Sequence, residues 1–183
     1  RTLPNLTLLS PASAKETKAL VNYAYELNGP VYIRLGNNLK EELYPEDVQV
    51  IPGKGTVLKE GNDIVIFSTG DITYHVMTAA KRLEEEGVHA TVISVHTIKP
   101  FDSQLVVDMA QRSRRLFTVE EHSIIGGLGS AVAEVLTDNG CSAGLKRIGL
   151  NDVFAHGYGN QEQVRKANGL DADGIYNSIK NNL

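Results

Sequence analysis

The sequence is poor in the residues that usually announce chemistry or a special compartment. Its 183 residues hold no tryptophan, two methionines and one cysteine. A lone thiol, Cys141, cannot close a disulfide within the chain, which suits a reducing cytoplasm. It sits between Gly140 and Ser142 with no histidine beside it, so no activated thiol is read there. No apolar run reaches the roughly 18 residues of a membrane-spanning helix, and no signal-peptide core opens the chain. Positive charge is not in excess: 18 Lys and Arg face 22 Asp and Glu, a formal charge of -4. Nucleic acid is therefore excluded as a partner unless a local basic patch exists, and none stands out. Arg112, Arg114 and Arg115 form the one tight cluster, read as a solvated helix end. His75, His89, His96 and His156 show no pair at metal-ligand spacing. The chain begins at Arg1 without methionine and runs straight into structure, so it is expected to start mid-chain.

What is present is an alternation of strands and helices. Leu6 to Leu9 reads as a strand, and Ser10-Pro11-Ala12-Ser13 supplies turn and cap chemistry. Residues 14–27 carry Leu20, Val21, Ala24 and Leu27 at helical spacing. Asn28-Gly29-Pro30 ends that helix, and Val31 to Leu35 is a second strand. Residues 1–36 thus form one β-α-β unit, too short to close a core and expected to be the end of a larger sheet. Residues 37–53 are polar and irregular and are read as a linker. Residues 54–183 alternate again. Strands are expected at 56–58, 64–67, 90–95, 116–119 and 145–150. Helices are expected at 72–86, 102–111, from Gly127 or Gly129 onward, at 161–168, and at 173–181 capped by Asp173. Continuous apolar strands between helices imply a three-layer α/β/α sheet.

Open α/β sheets bind ligands beyond the C-terminal ends of their strands. Arg34 lies there, inside an otherwise apolar strand. Its guanidinium could hold a phosphate or carboxylate with two parallel hydrogen bonds, or could form a structural ion pair or face solvent at an edge. Glu120-Glu121-His122 follows the strand at 116–119. Adjacent strand residues point to opposite faces, so the three cannot converge. They are read as fixing the following turn or as a dimer contact. Gly126-Gly127-Leu128-Gly129 opens a helix like a dinucleotide fingerprint, but the third glycine position is Val132. Close packing and turn geometry are read in its place. Asp71, after Gly70, is read as a helix N-cap in preference to a cleft residue.

These motifs, in this order, resemble the transketolase family over nearly the whole chain. Ser10-Pro11-Ala12-Ser13 through Glu16, with Pro30 to Leu35, is similar to the end of the family's pyrimidine-binding domain. Phe67-Ser68-Thr69-Gly70, Thr97 to Asp102, Val119 to His122 with Gly126 to Gly129, and Asn168 to Asp171 resemble its C-terminal domain. The resemblance implies residues 1–36 as a remnant of the pyrimidine domain, 37–53 as linker and 54–183 as the C-terminal domain. That domain would hold a five-stranded, mostly parallel sheet with one antiparallel edge strand, mapped to 55–59. The implied activity is transfer of a two-carbon ketol unit between sugar phosphates by thiamine diphosphate.

The diphosphate and its Mg²⁺ bind, in the family, to an N-terminal Gly-Asp-Gly…Asn signature, and this sequence has no Gly-Asp-Gly. The chain is therefore expected to hold no cofactor or metal itself, and to be inactive alone. It would need an N-terminal section or subunit within a complete, homodimeric enzyme. By motif, Arg34 matches an arginine that holds the substrate phosphate, and no other residue matches a catalytic position. Glu121, His122, Gly126, Gly127 and Gly129 stand as structural turn or interface candidates. Relatives carry an acidic residue near the Phe154–Gly157 loop, where this chain has His156. Deoxyxylulose-phosphate synthases and 2-oxoacid dehydrogenase beta subunits share much of the pattern, the latter implying a docking role for the C-terminal domain. A free-standing flavodoxin-like nucleotide binder is the remaining alternative.

Overall fold

The computed structural model describes residues 1–36, 43–44, 49–154 and 158–183. The larger sheet holds β3 (Thr56–Lys59), β4 (Ile64–Thr69), β5 (Ala90–Ser94), β7 (Arg115–Ser123) and β8 (Gly144–Leu150) in the order β3-β5-β4-β7-β8. All its pairings are parallel except that of edge strand β3 with β5. This is the five-stranded mixed sheet that the resemblance implied, with its antiparallel edge where that resemblance mapped it. Side chains alternate across the pleat. Ile64 and Ile66 of β4 join Val92, Phe117 and Ile148 on one face, under α2 (Thr73–Glu85) and α6 (Ala172–Lys180). Val65 and Phe67 join Ile93 and Leu116 on the other, under α3 (Ser103–Arg112) and α4 (Leu128–Asp138). All six residues of β4 are buried, in keeping with the apolar run Ile64 to Phe67 that opens it.

Helix ends follow capping chemistry, with two corrections. Asp102 accepts from the Leu105 amide at the start of α3 as expected. The cap of α6 is Asp171, which accepts from the Gly174 amide, whereas Asp173 lies inside the helix and pairs with Arg82. Asp71 caps nothing. The N-cap of α2 is Ile72, with no side-chain bond, because the Asp71 carboxylate is drawn into an ion pair with Arg165. Only Arg112 of the basic cluster is on a helix end; Arg115 opens β7 and donates to the Asn182 carbonyl. Near the end of the chain, α5 (Gln161–Ala167) carries a capping box from Asn160 and Gln163.

The opening unit is β1 (Thr7–Leu9), α1 (Ala14–Glu26) and β2 (Val31–Ile33), with β1 and β2 parallel. A strand missed in the sequence, β6 (Thr97–Lys99), pairs antiparallel with β1 and makes a three-stranded sheet, β2-β1-β6. It was hidden as a three-residue run beside Pro100. The unit also grips the larger sheet directly. The Ser10 amide donates to His96 O at 2.8 Å, and Gly70 N donates to Ser10 O at 3.2 Å. Glu16 of α1 is fully buried and accepts from the hydroxyls of Tyr44 and of Ser94, the last residue of β5. Tyr44 lies in the stretch read as linker and is itself buried; residues 37–42 and 45–48 of that stretch lie outside the described residues. Among the described residues, no helix is long and apolar enough to cross a membrane.

Candidate functional site

The C-terminal ends of β4 and β7 meet the opening unit around a cavity of about 100 Å³, lined by Ser10, Arg34, Thr69, Glu120, Glu121 and His122 among others. β1 and β2 carry Ser10 and Arg34 to its wall, and β7 supplies the acidic pair. Such a place, where strand ends from two sheets converge, is where this architecture leaves room for a ligand.

Arg34 is half-buried. Its amide bonds to Leu9 O, extending the β1–β2 ladder by one residue. Its Nη2 donates to the carbonyl of Glu121 at 2.8 Å. Of the alternatives the sequence left open, the structural ion pair is absent: among the described residues, no carboxylate pairs with this guanidinium. Nη1 and Nε make no hydrogen bond among those residues either. One edge of the planar fork is fixed by the protein, and the rest stays available to an oxyanion.

β7 runs past the predicted end at residue 119, and the alternation of its side chains splits the acidic motif. Glu120 turns inward, 1% exposed, and accepts from the amides of Leu128 and Gly129, both at 2.8 Å. Those amides are the unpaired donors at the start of α4, so Glu120 fills the anion position that a phosphate would take in a nucleotide-binding loop. Burial pushes its carboxyl up, against the pull of the two amides. Gly127 makes room for it, and Gly129 for its neighbours. A Cβ on Gly127 would lie 1.9 Å from Glu120 Oε2, and one on Gly129 would lie 2.8 Å from Arg147 and Thr118 atoms. Gly126 turns with φ +79°. His122, on the same side as Glu120, is more than half exposed, with Nδ1 at 3.8 Å from Glu120 Oε2 and 2.7 Å from Ser123 O.

Glu121 points the other way, into a cluster that sequence reasoning missed. Arg165 of α5, its side chain 3% exposed, holds Glu121 at 2.6 Å, Asp71 at 2.9 Å and Glu162 at 2.8 Å. Gln161 Nε2 reaches Asp71 at 3.2 Å and Glu121 at 3.3 Å. His75 pairs with Glu162 at 3.2 Å. Desolvation pulls the Arg165 pKa down, but the hydrogen bonds to Glu121 and Asp71 more than offset it, and the net direction is up. Nothing local to Arg165 signals this role, because a Glu three residues before an Arg on a helix also describes a surface pair. Of the other histidines, His96 is fully buried and its pKa falls to about 4, from burial alone. His156 and the rest of 155–157 lie outside the described residues.

Residues 53–175 match the family described as transketolase, C-terminal domain, and the chain belongs to that family as a C-terminal section of a transketolase-type protein. A curated relative, an apulose-4-phosphate transketolase subunit of Actinobacillus succinogenes, is 36% identical over 93% of this chain and 55% of its own length. The putative transketolase C-terminal section of Methanocaldococcus jannaschii is 37% identical over 98% of this chain and 56% of its own. A solved structure described as a split gene transketolase, inactive beta4 tetramer, superposes with TM-score 0.91 at 42% identity over 99% of this chain and 59% of that one. The chain thus spans about half the length of the first curated relatives it matches. A 1-deoxy-D-xylulose-5-phosphate synthase of Chlorobium luteolum, 34% identical over 97% of this chain, keeps that branch in view as the alternative named from the sequence.

Proposed function

We propose that this chain works with an N-terminal section as one half of a cytoplasmic, homodimeric, thiamine-diphosphate-dependent transferase of ketol units between sugar phosphates, with Arg34 as a ligand of the substrate phosphate. The observation that carries the reading is the Arg34 guanidinium at the cavity wall, pinned by a main-chain carbonyl and, among the described residues, paired with no carboxylate. A cation held that way favours an anionic ligand over an internal partner. The names of the relatives, one a transketolase subunit and the other a C-terminal section, support division of the activity between two pieces.

The cofactor is assigned, on this reading, to the partner section. Among the described residues, no three His, Cys, Asp or Glu side chains converge as metal ligands, and the sequence lacks Gly-Asp-Gly. On this reading the diphosphate and Mg²⁺ belong to the partner section. Thiamine diphosphate, when bound there, supplies the carbanion chemistry. This chain's part is to hold the phosphate end of the substrate and to cover the site. Apolar side chains that a partner could cover are exposed on the opening unit: Val21 and Tyr25 of α1, Tyr32 of β2, and Leu35 just beyond it. Among the described strands, β2 also ends its sheet with an unpaired edge.

Turnover of sugar phosphates by the chain mixed with an N-terminal section, thiamine diphosphate and Mg²⁺ tests the reading. Both sections together are expected to be active, and the chain alone is not; activity of the chain alone overturns the division. Arg34→Gln in the assembled enzyme is expected to raise KM for phosphorylated substrates about 10- to 100-fold, the range for losing a charge-assisted hydrogen bond. An unphosphorylated sugar should be used as before.

A further inference from the structure

Glu121 does two things at once: its carbonyl accepts from Arg34 and its carboxylate is held by Arg165. The sheet alone does not fix that carbonyl. Pairing of β7 with β4 ends at Glu120, and its register with β8 breaks between Val119 and Ser123. Glu121 thus lies where the ladder has lapsed, and its side chain is tethered to α5, most closely by Arg165 at 2.6 Å and more loosely by Gln161 at 3.3 Å. The same guanidinium holds Asp71 at 2.9 Å. The Asp71 carboxylate packs against the backbone two residues beyond Arg34, where a Cβ on Gly36 would fall 2.4 Å from Asp71 Cγ.

We propose that Arg165 is a positioning residue for oxyanion binding: by gripping Glu121 and Asp71 together, it sets the carbonyl that aims Arg34 and the chain segment that carries it. This rests on the reading of Arg34 as the phosphate ligand. Arg165 touches no substrate. It acts at the junction of three segments separated widely in sequence: the ends of β4 and β7 are fastened directly to this one side chain from α5, and the end of β2 is held through them. Arg165 is better suited to this than a lysine, since Nη2 meets both carboxylates while Nη1 is anchored on Glu162, which holds the planar group in a fixed direction. Without it, Glu121 and Asp71 would lie side by side as uncompensated anions and move apart.

The test uses the chain assembled with its N-terminal section. Arg165→Met is expected to raise KM for a phosphorylated sugar roughly tenfold and to leave kcat, and the KM for an unphosphorylated sugar, near their starting values. Because Arg165 is buried, the variant could fail to fold. Glu121→Gln then serves, since it keeps the shape and removes the charge Arg165 grips, and the same selective rise in KM is expected, smaller in size. Combining Arg34→Gln with either variant should add nothing to the loss from Arg34→Gln alone. Equal losses for phosphorylated and unphosphorylated sugars would show a merely structural ion pair and overturn the proposal. So would additivity in the double variant, or an unchanged KM in Glu121→Gln. A failure of the Arg34 reading is distinguishable, because Arg34→Gln by itself would then leave the KM for phosphorylated sugar unmoved.

Discussion

Strands β2 and β4 are alike as sequence and opposite as structure. Val31-Tyr32-Ile33 and Ile64-Val65-Ile66-Phe67 are both continuous apolar runs, the pattern of strands covered on two faces. Every residue of β4 is buried, whereas Tyr32 in β2 is 54% exposed and its neighbours are only half-buried. The difference lies in what covers them. The larger sheet has helices on both faces within the chain, and the opening unit has one helix and a borrowed strand, β6. Composition reports how much cover a strand needs, and the structure reports how much of that cover this chain supplies. The shortfall at β2 points outward, to the partner section proposed above.

The largest effect separating the two regions is expected at the centre of the covered sheet. Phe67, fully buried in the face under α3 and α4, should cost about 3–5 kcal/mol when cut to alanine. Chemical unfolding of the isolated chain measures this. A loss below about 1 kcal/mol would mean that the larger sheet is as poorly covered as β2.

The seam between the regions is expected to be acid-sensitive. His96 follows β5, and its carbonyl receives the Ser10 amide of the opening unit. Burial lowers its pKa to about 4 in the folded chain. Unfolded, it titrates near 6.5, so between those values the unfolded state binds more protons. Its share of stability is complete above about pH 6.5 and is lost as pH falls toward 4. The loss is about 2 kcal/mol by pH 5. Unfolding free energy measured from about pH 7.5 to 5 should fall by that order in the native chain. The fall should be much smaller in His96→Asn.

Next in size is the internal anion of the larger domain. Glu120→Ala leaves two α4 amides without their acceptor, a loss of about 1–2 kcal/mol by analogy with removal of an N-cap. Gly127→Ala should also destabilise, because the new methyl meets Glu120. The double variant should be less unstable than the two separate losses sum to, since the clash disappears with the carboxylate. Strict additivity in thermal unfolding would refute this account of the glycine.

These residues also show what was legible beforehand. The layer order and caps such as Asp102 could be read because each rests on local periodicity or a cap within a few residues, whereas the antiparallel edge strand came only from the family resemblance. Glu120 and its glycines could be read as turn chemistry. That a glutamate and not a ligand occupies the helix end depends on β7 running on to Ser123, which the sequence cut short. Strand β6 was lost because three residues before a proline carry no period. The Arg165 cluster was illegible for a different reason. Its partners Asp71 and Glu121 lie far back along the chain, and a single sequence contains no record of such pairings. Arg34 stood out because a charge inside an apolar strand is a local anomaly.

The smallest effect is the one that separates the two regions most sharply. Tyr25 of α1 is 91% exposed, as large an aromatic as Phe67 yet with almost none of it covered. Tyr25→Ser should change the stability of the isolated chain by no more than about 0.5 kcal/mol, because a side chain already in water gains nothing from folding. The same substitution should weaken association with an N-terminal section, where an aromatic on a partner-facing surface is a frequent anchor. Titration of that section against native and Tyr25→Ser chains reads the second effect, and thermal unfolding reads the first. A variant that unfolds early yet binds its partner normally would show that α1 is covered from within, and the contrast between β2 and β4 would lose its meaning.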